Sequence, residues 1–105
     1  MTLADVRSYA LSLPETTEEP HFAMTSFRVR RKIFATSPPE GDFLHIFVDE
    51  HATRAIVAEQ PGVFEELWWA KKLCGVRVVL ANADPATVFE LLEESWSRRA
   101  PARSR

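Results

Sequence analysis

Between positions 20 and 39 the chain reads PHFAMTSFRVRRKIFATSPP. Alternate residues there divide into an apolar pair, Phe27 and Val29, and a cationic pair, Arg28 and Arg30, the period-2 signature of a strand with two unlike faces. A second apolar run opens with Ile33 and Phe34, so the segment predicts a β-hairpin with strands near 24–30 and 32–36. Arg28, Arg30, Arg31 and Lys32 put four of the chain's 13 basic residues into this one hairpin. A wing of that kind suits contact with a phosphate backbone. It equally serves to solvate an exposed sheet and keep its edge from pairing with another chain.

Working outward, Pro38-Pro39-Glu40-Gly41-Asp42 reads as a turn, and residues 43–48 are apolar on both faces except at His45. This third strand is therefore expected at the centre of an antiparallel meander, covered on both faces. Asp49 or Glu50 opens a helix carrying Ala52, Ala55 and Ile56, which Pro61-Gly62 closes. Residues 63–70 are ambiguous, because Phe64, Leu67 and Trp68 fit a helical turn while adjacent tryptophans suit a strand or an aromatic loop; they are read as irregular or one short helix. The β-branched run at 76–80 predicts a strand, and Asp84-Pro85 supplies the N-cap and first position of a final helix. That helix buries Val88, Leu91, Leu92, Ser95 and Trp96, turns Glu90, Glu93 and Glu94 outward, and is expected to fray from Ser97 into a basic tail holding Arg98, Arg99, Arg103 and Arg105.

At the other end Thr2 reads as an N-cap with Asp5 three residues on, and Leu3, Val6, Ala10 and Leu13 recur at helical spacing until Pro14. An acidic linker, residues 15–19, joins this helix to the hairpin. The expected order is α-β-β-β-α-β-α, an α+β two-layer sandwich with helices packed on one face of an antiparallel sheet. Residues 1–97 form the single domain expected of 105 residues, and 98–105 the tail.

A composition 46% hydrophobic and 27% charged supports a core without disulfides or structural metal. The net charge of −2 argues against indiscriminate high-affinity binding of duplex DNA, although the basic residues cluster locally. No apolar run approaches a membrane span and the N-terminal residues lack a secretion signal, so a cytoplasmic protein with no membrane partner is expected. Cys74 has no partner for an internal disulfide, and its neighbours suggest a buried thiol.

Taken together, Leu13-Pro14-Glu15-Thr16, Pro20-His21-Phe22, Ser26-Phe27-Arg28-Val29, Lys32-Ile33-Phe34-Ala35, Trp68-Trp69-Ala70-Lys71-Lys72, Gly75-Val76-Arg77-Val78 and Leu91-Leu92-Glu93-Glu94-Ser95-Trp96 resemble the MmcQ/YjbR family over nearly the full length. The resemblance implies a frataxin-like, double-wing α/β sandwich and a DNA-binding role inferred from that shape; it brings no catalytic residues. Members usually have Gly where this chain has Arg31, which must either tolerate a strained turn or accept a longer one. Ala23 likewise stands where members often carry Gly.

The candidate nucleic-acid contacts are Arg28, Arg30, Arg31 and Lys32 on the wing, with Trp69, Lys71, Lys72 and Arg77 as a second region in which an aromatic is interleaved with cations. Against this, Trp68 is expected to fill the core and Trp69 to cover the sheet rim, with the lysines merely solvated. The competing reading is a module that holds a protein or small ligand on the sheet face around Phe43, His45, Phe47 and Trp69. His21, His45, Asp49 and His51 lack metal-site spacing, and no nucleophile, carboxylate pair or glycine-rich phosphate loop is distinguishable. The expectation is a DNA-binding domain that is not an enzyme and has no cofactor or metal.

Overall fold

The computed structural model describes residues 1–101; Arg103 and Arg105 of the expected tail lie outside them. Helix α1 (Leu3–Ser12) starts on the capping box read from the sequence, with the Thr2 side chain accepting from Asp5 N–H and the Asp5 carboxylate accepting from Thr2 N–H. Strands β1 (Thr16–His21), β2 (Met24–Val29), β3 (Lys32–Ser37) and β4 (Phe43–Ile46) follow, then α2 (Glu50–Glu59), β5 (Phe64–Trp69), β6 (Lys72–Val79) and α3 (Pro85–Arg99). The described strands form one antiparallel sheet in the order β1-β2-β3-β4-β6-β5. The α+β class and the sequence of expected elements hold, and two strands are added at the sheet's edges.

Both added strands correct the sequence reading. The supposed acidic linker is β1, paired with β2 from Thr16↔Val29 to His21↔Met24. Its residues are threonine, glutamate, proline and histidine because an edge strand is held by backbone hydrogen bonds on one side and needs little apolar surface. The Arg7 guanidinium adds a two-pronged contact to the Glu18 carboxylate, at 2.7 and 3.0 Å. The segment read as irregular or helical is β5, Phe-Glu-Glu-Leu-Trp-Trp, which has no apolar alternation and carries a bulge between Leu67 and Trp68. A third correction concerns Ser97 to Arg99, which continue α3 rather than fraying.

Register divides the residues between two faces. Phe27, Ala35, Ile46 and Val76 lie in one cross-strand row, all fully buried beneath the helices. The next row, Ser26, Thr36, His45, Arg77 and Glu65, lies on the face away from the helices. Strand β4 is central as expected, but only one of its faces is covered, since Phe43 and His45 are half-exposed. Helix α3 supplies the core with Val88, Leu91, Leu92, Ser95 and Trp96, the residues its periodicity indicated. Ser95 shares its one hydroxyl proton between the Phe34 and Phe47 carbonyls, at 2.7 and 2.6 Å, so the helix is pinned to β3 and to the residue following β4. The Trp96 indole N–H donates to the Pro14 carbonyl at 3.0 Å and fixes the end of α1.

Candidate nucleic-acid interface

The β2–β3 and β5–β6 hairpins turn at the same end of the sheet. Val29 pairs with Lys32, which leaves Arg30 and Arg31 as a two-residue turn. Phe47 N–H, just beyond β4, donates to the Phe34 carbonyl near that turn. Ile46 pairs with Val76, so the start of β6 at Lys72 lies at this end too, and Trp69↔Lys72 closes the second hairpin over Ala70 and Lys71. The last turn of α3 reaches the same place, with Arg99 Nη1 donating to the Phe47 carbonyl at 3.2 Å.

The first turn resolves the question raised by Arg31. No residue is added; Arg30 and Arg31 both take positive φ, 51° and 70°, the conformation a type I′ hairpin turn demands and side chains with a Cβ resist. In the β1–β2 turn the positive φ falls on Phe22, at 57°, rather than on Ala23.

The candidate residues separate into groups. Arg31 and Lys32 at one tip, and Lys71 and Lys72 at the other, are exposed and form no ion pair among the described residues. Trp69 stands beside the second pair, 78% exposed. Trp68, expected in the core, is 47% exposed, because the bulge turns it to the side of the hairpin, where its indole N–H donates to Glu66 at 3.1 Å. Arg30 is neutralised by Glu15, with Nε and Nη2 at 2.9 and 2.8 Å from Oε1. Arg28 lies on the open face, its Nε donating to Ser26 Oγ at 2.9 Å. Arg77 shares that face but lies across β3 and β4 from Arg28, with Nε 3.8 Å from a Glu65 carboxylate oxygen and its guanidinium over the Phe43 ring. The wing and Arg77 therefore do not form one continuous cationic surface.

Two cavities open near the hairpin ends. One, of 510 Å³, runs along the open sheet face between Met24, Ile33, Leu67 and Trp69, with Thr36 and His45 among its lining residues. The other, of 530 Å³, lies among Asp49, Glu50, Lys71, Lys72, Arg98 and Arg99. Arg98 and Arg99 escaped the sequence reading because they were assigned to a fraying tail. The available signal was their spacing: Arg99 follows Trp96 by three, so the helical face that buries Trp96 also carries Arg99.

A family model described as YjbR matches residues 11–98. The chain belongs to the YjbR family. Among relatives of this YjbR protein, the uncharacterized proteins Rv2570 of Mycobacterium tuberculosis (strain H37Rv) and Mb2600 of Mycobacterium bovis are each 30% identical over 119 aligned positions, spanning 95% of this chain and 89% of theirs. A similar solved structure is Deinococcus radiodurans protein DR2400, a DUF419 domain, with a TM-score of 0.79, 23% identity and coverage of 90% of this chain and 75% of that one. At that identity the likeness establishes the shared fold alone.

Electrostatics at the YjbR sheet face are set mainly by burial. Desolvation, aided by the Arg77 cation and opposed by Glu40, holds the His45 imidazole below its ordinary 6.5. Thr36 Oγ1 lies 3.3 Å from His45 Nδ1. Burial likewise raises the Cys74 thiol, whose Sγ–H donates to the Leu67 carbonyl at 3.3 Å, so the thiolate is disfavoured. Arg99 is half-buried, and desolvation followed by the adjacent Arg98 lowers its pKa.

Proposed function

We propose that this YjbR protein is a non-enzymatic DNA-binding domain that holds single-stranded DNA across the hairpin end of its sheet. The observation that carries this reading is the convergence of two hairpin tips at one end of the sheet, bringing Arg31, Lys32, Lys71 and Lys72, all exposed and without ion pairs among the described residues, together with the exposed Trp69. Cations grip phosphate without regard to sequence, and an exposed indole stacks on any base, a combination that favours an unpaired strand over a duplex whose bases are already stacked. The overall charge of −2 accords with a local contact rather than a wide duplex footprint.

The test is fluorescence anisotropy with a labelled single strand and the matching duplex at several salt concentrations. With about 0.7 counterions released per neutralised phosphate, four contacts give a log–log salt slope near −3 on single-stranded DNA. The quadruple variant Arg31→Ala/Lys32→Ala/Lys71→Ala/Lys72→Ala abolishes most of that slope, and the single strand binds more tightly than the duplex. Absence of single-strand binding at low salt by the folded wild-type protein refutes the reading.

A further inference from the structure

We infer that the two cavities meeting at Arg99 together receive one nucleotide unit of the single strand, its base in the sheet-face groove and its phosphate in the cationic cavity. The inference rests on the single-strand reading and names the unit that the rest of the strand leads into.

The two cavities are neighbours with unlike chemistry. They share Phe47, Trp68, Cys74 and Arg99 as lining residues, so a ligand extending past Arg99 passes from one to the other. On the sheet side, Met24, Ile33, Leu67 and Trp69 offer apolar walls to a planar ring. Polar recognition comes from His45, whose Nδ1 is engaged by Thr36 and whose Nε2 makes no hydrogen bond among the described residues. Held neutral by burial, that imidazole can donate or accept at a base edge without adding charge.

On the other side the balance is anion-seeking. The two acids of the cationic cavity are already committed: Asp49 accepts from Ala52 N–H at 2.7 Å as the cap of α2, and Glu50 holds Arg54 at 2.7 Å. Lys71, Lys72, Arg98 and Arg99 have no carboxylate partner among the described residues. Arg99 is the telling member. Its guanidinium is half-buried, its one hydrogen bond among the described residues goes to a neutral carbonyl, and its neighbour in sequence is another arginine. A bound phosphate replaces the lost hydration of that cation with charge-assisted hydrogen bonds. A purely apolar ligand leaves the four cations unused, and inorganic phosphate leaves the groove empty. A nucleotide is complementary to both halves.

The experiment is NMR titration of the 15N-labelled protein with AMP, adenosine and inorganic phosphate, alongside single-strand anisotropy. The three indole N–H signals serve as reporters, since Trp69 lines the groove alone, Trp68 lines both cavities, and the Trp96 indole is tied to Pro14. AMP is expected to shift Trp68, Trp69 and His45 and leave Trp96 in place, with adenosine at least fivefold weaker and phosphate moving only the cationic side. Trp69→Ala weakens AMP about tenfold through loss of stacking, and Arg99→Gln weakens AMP but not adenosine. Should Arg99→Gln fail to fold, Arg98→Ala, at an exposed position, carries the same comparison. If the single strand binds with its salt slope while AMP moves none of these signals, the two-cavity inference is overturned and the strand reading stands; if neither ligand binds, both fall. Equal affinity for AMP and adenosine also overturns it.

Discussion

Arg77 lies over the ring of Phe43, its guanidinium carbon 3.8 Å from the ring centroid. The same side chain is 41% exposed, sits 3.8 Å from Glu65, and has a buried Nε without a hydrogen-bond partner among the described residues. An arginine held by a ring and a carboxylate is a piece of the sheet surface rather than an idle cation waiting for phosphate. Arg77→Ala is accordingly expected to lower stability by about 1 kcal/mol and leave the salt slope of strand binding unchanged. NMR titration of His45 in the variant should find its pKa moved up toward 6.5, because a depressing charge has gone.

The turn at Arg30-Arg31 sets stability against binding. Relieving the positive φ at position 31 with Arg31→Gly stabilises the fold by about 1 kcal/mol. The same change removes one tip cation, so affinity for single-stranded DNA falls and its salt slope shrinks by about 0.7. Thermal melts and anisotropy on one protein preparation check both signs. A variant that melts lower than wild type contradicts the strain argument.

Stability should depend on His45 in a defined pH window. The imidazole is held below 6.5 in the fold, so the unfolded chain takes up its proton first as pH falls. The contribution of the neutral ring is complete above pH 6.5 and is lost as pH falls through the depressed folded value. His45→Gln, which keeps a polar group near Thr36, should flatten the urea-unfolding profile below pH 6.5 and leave its slope above that pH unaltered.

Gly75 tolerates no side chain. A Cβ there would run into the carbonyl oxygen of Ile46 and come within 3.0 Å of Phe47 Cα, both backbone atoms of the neighbouring strand and its continuation. Gly75→Ala is predicted to cost about 3 kcal/mol, read as a lower midpoint in urea. The displaced segment includes Phe47, so the shift should also be visible at Ser95 and Arg99, which donate to its carbonyl.

Elements with an apolar face were legible in the sequence, and elements held mainly by backbone pairing were not. Val88, Leu91, Leu92, Ser95 and Trp96 announce the buried side of α3 by their spacing alone, as Thr2 and Asp5 announce the start of α1. Strand β1 has no such stripe, because its partner is the backbone of β2. Strand β5 carries one fully buried residue, Phe64, while Glu66 puts a carboxylate on the same face, so no apolar alternation identifies it, and the bulge after Leu67 turns Trp68 outward. At the candidate site the exposed tip cations were legible as a cluster. The neutralisation of Arg30 by Glu15, and the meeting of Arg99 with Phe47 across 52 positions, depend on pairings that no local pattern encodes.

The two edge strands bear on how molecules of this protein meet one another. Strand β1 presents Glu18, Glu19 and Pro20, and strand β5 presents Glu65 and Glu66. A second molecule aligning a strand along β1 would find no N–H to receive at Pro20, and one aligning along β5 would meet a register broken by the bulge between Leu67 and Trp68. Growth of the sheet from one molecule into the next is thus opposed at one margin by a missing donor and at the other by an irregular strand. In a crowded solution the described sheet therefore ends at its own margins instead of serving as a template for the next molecule.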